Sequence, residues 1–73
     1  MTTYSISGGW SARGGWDRVL ESSNARAARE LATELRAAYD PRDTSARVQI
    51  NRDGVPVAKW IGSESGCWVR VVA

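Results

Sequence analysis

Only one stretch of this chain carries helical periodicity, and it divides the sequence into two strand-rich halves. Within residues 25–39 the apolar side chains Ala28, Leu31, Ala32, Leu35 and Tyr39 follow the i, i+3, i+4, i+7 spacing of an amphipathic helix. Ala, Arg and Glu fill all the remaining positions but Thr33, and all three favour helix. Ser22-Ser23-Asn24 offers three N-capping residues ahead of it. Asp40-Pro41 ends it, because a residue before proline is driven out of the helical region. With 73 residues the chain is long enough for one domain, residues 1–73, whose small core suits one helix on one sheet.

The flanks read as short strands. Residues 3–7 alternate, and Gly8-Gly9 is expected to turn the chain so that residues 10–13 return. Gly14-Gly15 breaks it again before a third extended piece, residues 16–20; the last two pieces can equally be one strand with a glycine bulge. After the helix, residues 46–51 place Val48 and Ile50 on one face and Arg47, Gln49 and Asn51 on the other. Asn51-Arg52-Asp53-Gly54 predicts a hairpin, read as a type I turn closed by Gly54 in a left-handed conformation. Residues 55–61 return, with Pro56 placing this strand at an edge or next to a bulge. Residues 62–66 form a loop, and residues 67–72 a final strand. Strands, one helix, then strands predict an α+β fold: an antiparallel sheet of five or six short strands with the helix on one face.

Little in the sequence equips the chain for catalysis. It has no His, the commonest general acid or base at neutral pH. Its one cysteine, Cys67, can form neither an internal disulfide nor a zinc cluster; it lacks an activating His and is expected to sit in or beside the core. The acids are scattered, and Glu30 lies one helical turn after Arg26, as in a solvated ion pair. Neither glycine pair runs into the Gly-Lys-Ser/Thr ending of a phosphate loop. A non-enzymatic protein is expected, with no catalytic residue, no metal site and no cofactor. No run approaches the roughly 18 apolar residues that cross a membrane. Reduced cysteine usage and the absence of a leader pattern after Met1 predict a cytoplasmic location.

Binding features are richer. Nine of the ten basic residues are Arg, and the net charge is +2. Arg forms planar, bidentate contacts with phosphate and carboxylate and stacks on aromatic rings. Arg26, Arg29 and Arg36 fall on the helix exterior, opposite Leu31 and Leu35. Trp16 with Arg18, and Trp68 with Arg70, lie two apart on expected strands and so share a face. These seven residues are the candidate partner-binding set. The competing readings are a solvated helix face and tryptophans that only cover the core.

The order hairpin, helix, hairpin resembles that of double-stranded-RNA-binding and integrase-arm domains. Gly9-Trp10-Ser11-Ala12-Arg13, Ala27-Ala28-Arg29-Glu30-Leu31-Ala32 and Asn51-Arg52-Asp53-Gly54 also resemble stretches of small bacterial and phage domains. In size and format the whole chain resembles phage-encoded anti-CRISPR proteins, though its mild basicity departs from the acidic DNA mimics among them. That resemblance implies an inhibitor, acting in the host-cell cytoplasm, that docks on a host protein or ribonucleoprotein complex and interferes with target DNA. The alternatives are a domain that binds nucleic acid directly through Arg and Trp, and a structural or assembly module of a phage particle. Oligomeric state is left open by the sequence.

Overall fold

The structure, a computed structural model, describes residues 2–71. Five strands form one antiparallel sheet: β1 (Tyr4–Trp10), β2 (Arg18–Ser22), β3 (Ala46–Arg52), β4 (Val55–Ile61) and β5 (Val69–Val71). The spatial order is β2-β1-β3-β4-β5, and α1 (Ala25–Ala38) carries the chain from the β2 edge across β1 to β3.

The helix begins where its cap begins. The Asn24 side chain accepts from the backbone N–H groups of Arg26 and Ala27, at 2.8 and 3.3 Å, and so engages two of the four free N-terminal donors. Tyr39 has already turned to extended backbone, one residue before the Asp40-Pro41 stop. Ala28, Ala32 and Leu35 are buried against Ile6 of β1, Val48 and Ile50 of β3 and Ala58 of β4. Leu31 is half-buried beside them. Two alanines on one stripe, Ala28 and Ala32, hold the helix close to the sheet, and each larger side chain buried there contributes roughly 1.5–3 kcal/mol.

Two glycine assignments change. Gly8-Gly9 does not turn; β1 runs straight through both residues. The space a Gly8 side chain would fill belongs to the Tyr39 ring, whose Cε2 lies 2.7 Å from a Cβ built there. Residues 10–13 therefore do not return as a strand. Ser11–Arg13 form one 3-10 turn, Gly14 and Gly15 follow at φ 69° and 66°, and β2 starts only at Arg18.

The second hairpin is tighter than a type I turn. β3 reaches Arg52 and β4 starts at Val55, so Asp53 and Gly54 alone make the loop, both with positive φ (49° and 83°). This is the primed geometry that matches strand twist. Asp53 is held there by the Thr3 N–H, which donates to its carboxylate at 2.9 Å. Pro56 pairs with Asn51, whereas Ile50 pairs with Ala58, so Val57 is the extra residue of a bulge. β4 is an inner strand, but β5 pairs only with its Lys59–Ile61 end, leaving Pro56 on an open flank. β5 starts at Val69, not at Cys67. Cys67 is exposed rather than packed in the core, because it lies in the connecting loop. Val72, expected in this strand, lies outside the described residues.

Candidate functional site

All four tryptophans are half-buried, and their partners gather the arginines into two clusters. The first lies at the glycine-rich end of the sheet. Arg13 stacks over Trp10 at 4.5 Å, and Arg47 over Trp16 at 4.1 Å. Arg47 also donates to the Gly15 carbonyl at 2.8 Å, while its Nε is buried with no partner among the described residues. Trp10 meets Tyr39 edge-on at 4.9 Å, and the Tyr39 hydroxyl donates to Asp17 at 3.0 Å. Burial first, then the bond to Asp17, raises the Tyr39 phenol above its ordinary pKa.

The second cluster lies along the flank between α1 and the β3–β4–β5 side of the sheet. Arg36 stacks over Trp60 at 4.1 Å, with Arg70 on the same ring at 5.9 Å. The Trp68 indole N–H donates to the Arg36 carbonyl at 3.1 Å, tying the last loop to the helix. Burial and then the adjacent Arg70 lower the Arg36 pKa.

Toward the N-terminal end of the helix this flank opens into a cleft of about 250 Å³. Tyr4, Ile50 and Ala58 line it from the sheet, and Ala28 from the helix. Arg29, Arg52 and Arg70 are also in its lining, and no acidic residue is. Tyr4 and Arg52 are there because they are direct cross-strand partners on the helix-facing side of β1 and β3.

The candidate residues are therefore redistributed. Arg26 and Arg29 are exposed as expected, and Arg26 pairs with Glu30 at 3.6 Å. Arg36 does not join them outside. It is half-buried, donates to Thr33 at 3.1 Å and leans onto Trp60. Trp16 precedes β2 and stacks with Arg47 rather than Arg18; Trp68 precedes β5, and the ring beside Arg70 is Trp60. Sequence reasoning missed Tyr4, Arg52 and Trp60 as members of the flank. Only pairing register brings them together, through Tyr4 to Arg52 and Trp60 to Arg70.

Five of the eight acidic residues have partners for their side chains among the described residues, and Glu21, Glu34 and Glu64 have none. Asp17, Asp40, Asp43 and Asp53 all accept hydrogen bonds that hold turns or Tyr39, and Glu30 is ion-paired. Among the described residues only Arg26 and Arg42 form ion pairs. No group of three His, Cys, Asp or Glu among them stands close enough to hold a metal ion, and no helix is long and apolar enough to cross a membrane. Comparison with protein-family models, with curated proteins and with solved structures finds no match to this chain.

Proposed function

We propose that the protein is a non-enzymatic binding domain that docks on a nucleoprotein partner and presents arginine to its phosphates. In its specific form the reading is a phage-encoded inhibitor that keeps a CRISPR effector from binding its target DNA. The lining of one cleft carries it: Arg29, Arg52 and Arg70 gather there without an ion pair, and no acidic residue joins them. Guanidinium groups left free in this way suit phosphate, which they contact bidentately and with charge assistance. A CRISPR effector offers phosphate on its guide RNA and on the displaced DNA strand.

The test is a mobility shift with purified effector complexes and their target DNA. Protein added before the DNA suppresses the shifted band of a susceptible effector, and a variant with Arg29, Arg52 and Arg70 changed to Glu leaves that band in place. A panel spanning the effector types, all binding target DNA unhindered, would refute the inhibitor form. The second reading, direct binding of nucleic acid without a protein partner, is favoured by the lining of the cleft.

A further inference from the structure

We infer that the cleft between α1 and the β3–β4 strands takes one nucleotide unit of a single-stranded nucleic acid, its phosphate on Arg29, Arg52 and Arg70 and its base on Tyr4. This rests on the nucleoprotein reading above and names the element of the partner that the flank recognises.

Charge supplies the first argument. Three arginines line one small cleft, none of the three donates a side-chain hydrogen bond or forms an ion pair among the described residues, and no carboxylate lines the cleft. Such a site is matched by an anion with several acceptor oxygens.

Size and surface supply the second. About 250 Å³ falls just below the roughly 300–1,000 Å³ of pockets that enclose a whole small ligand, so an open cleft of this size holds one unit of a longer chain. Its sheet side carries a half-buried Tyr4 ring with no cation–π or aromatic partner among the described residues, beside the apolar Ile50 and Ala58. Base stacking on such a ring, with basic groups tracking the backbone, is how single strands are held.

The third is continuity. Arg29 and Arg36 stand two turns apart on α1, about 10 Å at the helical rise. The flank thus runs from the cleft to Trp60, with Arg70 reaching both. An acidic peptide would satisfy the arginines and leave the Tyr4 ring without a stacking partner.

The experiment is fluorescence anisotropy with a labelled 15-nucleotide oligothymidylate, the matching duplex and thymidine monophosphate as competitor. Neutralising the one phosphate held in the cleft gives a slope of log K on log salt near −0.7, a loss of about 2.6-fold between 50 and 200 mM salt. Arg52→Ala and Arg70→Ala should each weaken binding and flatten that slope toward zero. Tyr4→Leu keeps an apolar side chain against the core and should lose roughly fivefold or more in affinity. Arg26→Ala, outside the cleft, should change nothing, and unchanged melting certifies each variant as folded. Oligonucleotide binding that the Arg52, Arg70 and Tyr4 variants leave intact would overturn the cleft while sparing the nucleoprotein reading. Equal affinity for duplex, or for the mononucleotide, would overturn the single strand as occupant. Failure to bind the oligonucleotide even at 20 mM salt would overturn the inference outright, leaving the effector mobility shift to judge the broader reading.

Discussion

The two arginine–tryptophan clusters use the same residue types to opposite ends. At the glycine-rich end, Arg47 bonds the Gly15 carbonyl and covers Trp16, and Tyr39 bonds Asp17 across 22 residues of chain. There the polar groups close the molecule. Along the α1 flank, Arg29, Arg52 and Arg70 surround a cleft without closing it. What separates them is the acceptor: the glycine loop brings a carbonyl and Asp17 into reach, and on the flank Arg36 finds Thr33, whereas Arg29, Arg52 and Arg70 find none among the described residues. An arginine beside a tryptophan is therefore no sign of function until its other contacts are known.

The largest effect comes from the scaffold both clusters share. Leu35 is buried and lies against the Gly8 backbone next to Tyr39. Leu35→Ala should cost about 2–5 kcal/mol by urea denaturation, a large part of the stability of so small a domain. A cost under about 0.5 kcal/mol would mean that α1 does not pack as described.

The next effect tests the comparison itself. Arg47→Ala removes a hydrogen bond to backbone and a cation–π stack, together about 1–3 kcal/mol; its unpartnered buried Nε works against it and favours the lower end. Arg52→Ala removes no ion pair and should stay within about 0.5 kcal/mol of the parent. Equal losses at the two positions would erase the distinction between a closing and a free arginine.

The smallest effect sharpens it. Tyr39→Phe keeps the edge-on contact with Trp10 and deletes the hydroxyl that donates to Asp17, at a cost of about 0.5–1.5 kcal/mol near neutral pH. The folded-state pKa of Tyr39 is raised, so its contribution is fully present below the unfolded value of about 10 and is lost as pH rises through the folded value. Melting measured from pH 8 to 11 should fall more steeply at the top of that range in the parent than in Tyr39→Phe. Parallel curves would remove Tyr39 from the set of closing contacts.

The α+β class, the helix and its exit were legible because each rests on local chemistry: the Ala-Leu stripe, a capping Asn24 and Asp40-Pro41. The second hairpin was legible for the same reason, with the bulge beside Pro56, but its turn is the two-residue primed type and not type I. Gly8-Gly9 misled because glycine is also the residue that lets another side chain press on a strand, and Tyr39, which does so, is 31 residues away. Arg36 misled because helical periodicity assigns a direction to a side chain but not its reach, and Trp60 lies within that reach. The cleft was invisible for a deeper reason. Tyr4, Arg29, Arg52 and Arg70 come from four separate elements, and no spacing in the sequence encodes the register that assembles them.

The sheet order has a consequence for how the molecule is made. β1 is flanked by β2 and β3, yet only β2 follows it closely in the chain. During synthesis the first hairpin can pair at once, but the other side of β1 waits for about 30 more residues, until β3 is complete at Arg52, about 1.5–6 s at ordinary translation rates. Through that interval Ile6 has neither Ile50 beside it nor the Leu35 region of α1 seated above it. Gly8-Gly9 and the serines at 5 and 7 lower the apolar content of β1, which limits what this early hairpin exposes, although Val19 and Leu20 of β2 stay exposed even in the finished fold. Replacing Ser5 with valine would raise the strand propensity of β1 and the apolar content of the nascent hairpin together, while at Gly8 and Gly9 a side chain would strike Tyr39 and the Asp17 backbone.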